Sequence, residues 1–91
     1  MNKIGICGAG LIGASWAIGF ANAGYLSYVY DNNTNSVENF NKYFDDLLLD
    51  LKTIDPNINE DKIRSNIKLN CTIEQICENA VLIQESIVED L

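Results

Sequence analysis

Ile4-Gly5-Ile6-Cys7-Gly8-Ala9-Gly10-Leu11-Ile12-Gly13 joins a short apolar run to a helical pattern through glycines at GxGxxG spacing. Lys3 to Cys7 reads as a β-strand, with Ile4 and Ile6 as its apolar residues. Leu11 to Ala23 reads as a helix built on small and apolar residues. The spacing alone is weak evidence, but a strand before it and a helix after it are the context a dinucleotide fingerprint requires. Each glycine then has a physical task. Gly8 permits the tight turn out of the strand, Gly10 lets the backbone approach a pyrophosphate, and Gly13 lets the helix pack close to the strands. The amides of Leu11 and Ile12 open the helix, where unpaired N–H groups and the helix dipole attract an anion.

Working outward, Gly24 suits the left-handed position after a helix, and Leu26 to Tyr30 is a second strand. Asp31 ends it, 18 residues after Gly13. A carboxylate there accepts hydrogen bonds from adenosine ribose hydroxyls and repels a 2′-phosphate, which favours NAD over NADP. The competing role for Asp31 is to cap the next helix, although Asn33 and Thr34 also suit capping. A long helix is expected from about Thr34 to Ile54, with Val37, Phe40, Phe44, Leu47, Leu48, Leu51 and Ile54 on one face. Pro56 stops it. A short helix follows over Asn59 to Asn66, then a third strand over Ile67 to Cys71. Thr72 and Gln75 have capping-box spacing for a helix to about Asn79, and Ala80 to Gln84 is a fourth strand. This order predicts an α/β fold: a Rossmann-type doubly wound parallel sheet with right-handed crossovers, ending after about four strands.

The 91 residues allow one small domain. A composition of 47% hydrophobic and 21% charged residues argues against disorder. Net charge −7 opposes binding to nucleic acid or to anionic membranes. The absence of His removes imidazole acid–base chemistry and His-ligated metal, and three Cys without a CxxC suggest neither a disulfide scaffold nor a zinc site. Reduced thiols fit a cytoplasmic protein. Residues 4–30 carry no charge, so a membrane span or signal peptide is the rival reading. All six glycines lie between Gly5 and Gly24, and a buried strand followed by a helix packed on it also needs no charge.

Other side chains carry weaker signals. Glu85 and Glu89 follow the fourth strand, near the crevice where strand order reverses; solvated charge is the alternative. Cys7 is expected to pack in the core, and Trp16 and Phe20, four apart on the first helix, to have packing roles rather than cofactor roles. No Tyr is followed four residues later by Lys, so the Tyr–Lys pair of short-chain dehydrogenases is absent.

Together, Ile4 to Gly13, Val29-Tyr30-Asp31 and Ile83-Gln-Glu-Ser-Ile-Val-Glu-Asp-Leu91 resemble the N-terminal domain of the 3-hydroxyacyl-CoA dehydrogenase family. Ile12-Gly-Ala-Ser-Trp-Ala17 and the tail from Ile83 look most like its lambda-crystallin branch, which includes L-gulonate 3-dehydrogenase. The resemblance is loose between Asn35 and Asn70. It implies that Leu11, Ile12 and Asp31 bind the adenylate half of NAD, that Glu89 matches the family's acid on the nicotinamide side, and that Ser86 lies beside the cofactor where the family has Ala. Glu85 matches a recurring acid. The implied reaction oxidises a secondary 3-hydroxyl of a hydroxyacyl-CoA or sugar acid to a ketone, with hydride passing to NAD. The family continues with a Lys, further strands, a catalytic His–Glu pair and a helical dimerisation domain. Residues 1–91 therefore read as an incomplete dinucleotide-binding domain with no catalytic residue of its own, expected to be inactive alone. The alternative is a non-catalytic nucleotide-binding or crystallin-type structural module. An edge position for the fourth strand predicts self-association through residues 80–84, or disorder near 80–91.

Overall fold

Parallel pairing of β-runs on both sides of the first strand organises the chain. The computed structural model describes residues 2–32 and 35–85. Its elements are β1 (Lys3–Cys7), α1 (Leu11–Asn22), β2 (Leu26–Tyr30), α2 (Ser36–Ile54), α3 (Glu60–Ser65), β3 (Ile67–Lys68), α4 (Ile73–Cys77) and β4 (Ala80–Glu85). The sheet order is β3-β2-β1-β4 with every pair parallel. Strand order thus reverses at β1, as a doubly wound fold requires. Cys7 pairs with Tyr30 on one side and Glu85 on the other, so three strand ends share one rim.

Side-chain alternation divides the sheet into two faces. Ile4, Ile6, Ser27 and Val29 face α1 and α2 and are buried. The long period of α2 delivers Phe40, Phe44 and Leu48 to this core, with Leu47 and Leu51 partly buried beside them. Ile54, the last expected member of that stripe, is exposed. Helix α1 lies close to the sheet because Gly13, Ala14, Ala17 and Ala21 form its buried side. Two buried polar groups close this layer: Ser27 Oγ donates to the Ala17 carbonyl at 3.0 Å, and Asn66 Nδ2 to the Ala21 carbonyl at 3.2 Å. Each would be costly to bury unpaired.

The end of α1 follows the Schellman pattern. Gly24, at φ 98°, donates to the Ala21 carbonyl and Tyr25 to that of Phe20. The Phe20 and Tyr25 rings meet edge to face, the apolar contact that accompanies this motif. Trp16 stacks on Phe20 while keeping two-fifths of its surface exposed. Helices α3 and α4 start on local side-chain caps. Asn59 accepts from the Lys62 amide, and Thr72 and Gln75 form a complete capping box.

Some boundaries differ from the sequence expectation. β3 covers only Ile67–Lys68, because Asn70 turns left-handed at φ 57°. Cys71 nevertheless donates its amide to the Val29 carbonyl, which holds the segment beside β2. α4 stops at Cys77, since Glu78 is extended and Asn79, also at φ 57°, turns the chain into β4. α2 begins at Ser36, and the expected capping roles of Asn33 and Thr34 lie outside the described residues. β4 runs to Glu85, paired with β1 with a register shift at Val81, and Val81, Leu82 and Ile83 are exposed along it. The uncharged stretch 4–30 is a strand–helix–strand unit. Among the described residues, no helix is long and apolar enough to cross a membrane.

Candidate dinucleotide site

At the shared rim, the glycine turn leaves β1. Gly8 has φ 118°, a conformation that costs a glycine little. Its amide donates to the Tyr30 carbonyl at 2.7 Å, tying the turn to the end of β2. A Cβ on Gly13 would overlap the Gly8 carbonyl, so this glycine permits α1 to start directly against the turn. The close neighbour is thus the turn itself, more than the strands the sequence suggested. A Cβ on Gly10 would meet nothing within 4 Å. That side of the turn is open, as approach by a pyrophosphate demands.

The start of α1 is electrostatically bare. Gly10, the N-cap, supplies no side chain, and the first turn holds no acid. The Leu11 and Ile12 side chains are exposed at 52% and 64%, beside amides that begin the helix. Such a helix end favours a phosphate ligand.

Asp31 comes to the same place from β2. Its Oδ2 accepts the Ala9 amide hydrogen at 2.6 Å, so the acid and the glycine turn are physically joined. A carboxylate offers about four lone-pair sites, enough to hold one amide and receive ribose hydroxyls as well. Behind this contact, Ala9, Val29, Asp31, Val37, Leu69 and Asn70 line a shallow crevice too tight to admit a water molecule. What the rim offers a dinucleotide is an open glycine turn with an acid held beside it.

Cys7 sits at the tip of β1, half-buried. Burial, helped by the negative charges of Glu85 and Asp31 and by Cys77, pushes its thiol above the ordinary value of 9.0. It is therefore held as a neutral thiol, a poor nucleophile. Glu85 ends β4 next to it and is exposed. Ser86 and Glu89 lie outside the described residues. Among the described residues, no cluster of His, Cys, Asp or Glu could hold a metal ion.

The sequence reading thus brought together Gly8, Gly10, Leu11, Ile12, Gly13 and Asp31. It missed Ala9, whose contribution is a backbone amide that carries no signature in residue type. It also missed Val37, which α2 brings here, and Leu69 and Asn70, which arrive because the β3–α4 connection folds back toward β2.

The sequence profile of the 3-hydroxyacyl-CoA dehydrogenase NAD-binding domain matches residues 3–91. The chain belongs to this family. NAD is accordingly its cofactor. Comparison with curated protein sequences gives no match. Among solved structures, the chain is similar to a diketoreductase that acts on dicarbonyl compounds (20% identity, TM-score 0.82, covering 99% of this chain and 33% of that one). It is similar to the (S)-3-hydroxybutyryl-CoA dehydrogenase PaaH1 from Ralstonia eutropha (19%, 0.80, covering 100% and 32%). It is also similar to the dehydrogenase part of multifunctional enzyme 1 from C. elegans (25%, 0.70, covering 98% and 20%). At 19–20% identity the first two carry the fold alone. The chain spans about a third of the length of those two structures.

Proposed function

We infer that these residues hold NAD for an oxidoreductase that interconverts a secondary 3-hydroxyl and a ketone. The observation that supports this best is the contact of Asp31 with the Ala9 amide, which joins the ribose-binding acid to the phosphate-binding turn. In this reading the Leu11 and Ile12 amides face the pyrophosphate and Asp31 receives the adenosine ribose. Bound NAD supplies the hydride acceptor. Removing the hydroxyl proton needs a base, typically a 10²–10⁴-fold effect. The chain contains no His, and we assign that step, and the choice of acyl-CoA or sugar acid, to residues outside these 91. On the same reading Glu89, outside the described residues, serves the nicotinamide side, and Ser86, also outside them, is assigned a place beside the cofactor. The lambda-crystallin branch, supported by Ile12-Gly-Ala-Ser-Trp-Ala17 and the tail from Ile83, remains our placement within the family. The exposed Val81, Leu82 and Ile83 support an association surface at β4.

Titration calorimetry of the chain with NAD and NADP tests the reading. Weak binding of NAD with little or none of NADP is the expected result. Preference for NADP would overturn the role of Asp31, and turnover of 3-hydroxybutyryl-CoA or L-gulonate by the pure chain would overturn the assignment of catalysis elsewhere.

A further inference from the structure

We propose that the cavity at the starts of β2 and β3 binds a small organic carboxylate, with its anionic head on Lys68 and an apolar body about the size of one ring. The site is separate from the nucleotide rim. Leu26 and Ile67 open β2 and β3, whereas the glycine turn and Asp31 follow the ends of β1 and β2. The strands are parallel, so cavity and rim lie at opposite ends of the sheet.

The cavity measures about 220 Å³ and is lined by Leu26, Tyr28, Ser65, Asn66, Ile67 and Lys68. An apolar cavity of about 150 Å³ holds benzene, so one ring with a head group fits. Leu26, Ile67 and the Tyr28 ring supply apolar contact for it. Asn66, nine-tenths buried, is fixed by its bond to the Ala21 carbonyl, and Ser65 Oγ donates to the Lys62 carbonyl. Lys68 is exposed and enters no ion pair among the described residues.

Electrostatics selects the sign of the ligand. The Lys68 ammonium lies 5.5 Å from the centre of the Tyr28 ring. Lys3 reaches the same ring at 4.8 Å from the strand on the other side of β2. Two like charges thus converge on one ring, in a chain of net charge −7 whose Lys52 and Arg64 are matched with acids. Cation–π attraction offsets part of their repulsion. Lys3 also donates to the Gln75 carbonyl, which leaves Lys68 as the lysine at the cavity with hydrogens to give. A carboxylate there gains a charge-assisted hydrogen bond and reduces the repulsion further.

A simpler role for the two lysines is to hold Tyr28 by their cation–π contacts alone. Amide NMR titration of the whole chain separates the two roles. The probes are benzoate, its neutral counterpart benzamide, and inorganic phosphate, which has charge without an apolar body. Benzoate should shift the amides of Leu26, Tyr28 and residues 65–68 saturably, with millimolar affinity, and leave those of Gly8 to Ile12 unmoved. Lys68→Gln should weaken benzoate about fivefold, the upper range for an exposed ion pair, and Lys68→Arg should retain most of the affinity. Benzamide and phosphate should each bind more weakly than benzoate by about the same factor. Absence of benzoate shifts at the cavity, benzamide or phosphate binding as well as benzoate, or wild-type benzoate affinity in Lys68→Gln would overturn the site. A Lys68→Gln chain that melts lower yet binds benzoate normally would give the lysines the structural role alone. None of these outcomes bears on NAD binding, which is read at the other end of the sheet.

Discussion

Asp31 Oδ2 lies 2.6 Å from the amide nitrogen of Ala9, so the end of β2 clasps the glycine turn that follows β1. The acid has two consequences in one position: it fixes the turn and sets charge where the adenosine ribose would sit. Asp31→Asn retains an oxygen for the Ala9 amide but removes the charge. Hydrogen bonds to a charged group contribute about 1.5–3 kcal/mol each, so NAD affinity should fall by about tenfold or more. NADP, no longer repelled, should lose much less or gain. Calorimetry with both dinucleotides checks this; equal losses for the two would remove electrostatic discrimination from Asp31.

Gly10 and Gly13, three residues apart, should respond oppositely to alanine. A Cβ on Gly13 runs into the Gly8 carbonyl, a backbone atom that has no rotamer to yield. Overpacking of this kind costs about 1–3 kcal/mol, and a domain of this size loses roughly 4–8 °C of melting temperature per kcal/mol. A Cβ on Gly10 meets open space, so Gly10→Ala should cost under about 1 kcal/mol, the scale of an N-cap change. It should nevertheless abolish measurable NAD binding by filling the approach to the pyrophosphate. Melting curves and calorimetry on both variants decide the matter. A Gly10→Ala chain that binds NAD normally would show that the turn is structural only.

Gly5 lies on the other sheet face, against α4. A Cβ there would come within 2.5 Å of Ile83 Cδ1 and closer still to the Ile76 carbonyl. The Ile83 side chain can rotate; the Ile76 backbone cannot without lifting α4. Gly5→Ala should therefore destabilise by about 1–3 kcal/mol. Hydrogen exchange should show the loss first in α4 and β4, with the Ala9–Asp31 contact preserved. Uniform loss across the sheet would contradict a local cause.

The elements legible in the sequence are those whose burial follows a period. Ile4 and Ile6, Leu26 to Tyr30 and the stripe from Phe40 to Leu51 each stated their partner face. Thr72 and Gln75 marked a helix start that the structure contains to the residue. What escaped depends on backbone torsion. Asn70 and Asn79 each end an element by turning left-handed, and nothing in the hydrophobic pattern distinguishes such an asparagine from one in an extended run. For the candidate site, Gly8, Gly10, Gly13 and Asp31 could be grouped because their spacing falls between a strand and a helix and at the next strand end. Ala9 was not, since its amide is what matters. Gly5 was not, because only the crossing of α4 over β1 gives its missing side chain a meaning.

The thiols give a pH dependence whose sign can be worked out. Burial raises Cys7, with Glu85, Asp31 and Cys77 adding to it. Burial also raises Cys71, outweighing a backbone hydrogen bond from Val29 and the charges of Lys68 and Lys3. In the unfolded chain both return to the ordinary value of 9.0. Below that pH both states keep their protons and the contribution to stability is fully present. As pH rises beyond it, the unfolded chain loses these protons first, so stability falls until the folded thiols ionise too. Urea midpoints should therefore decline from pH 8 to pH 10, and less steeply in Cys7→Ala than in wild type. Alkylation at pH 8 should follow exposure and thiolate character together: Cys77, which is exposed, first, then half-buried Cys7, with Cys71, buried, reacting only on unfolding. Identical slopes in the two proteins, or Cys71 modified before Cys77, would mean that the thiols are not shielded as the fold requires.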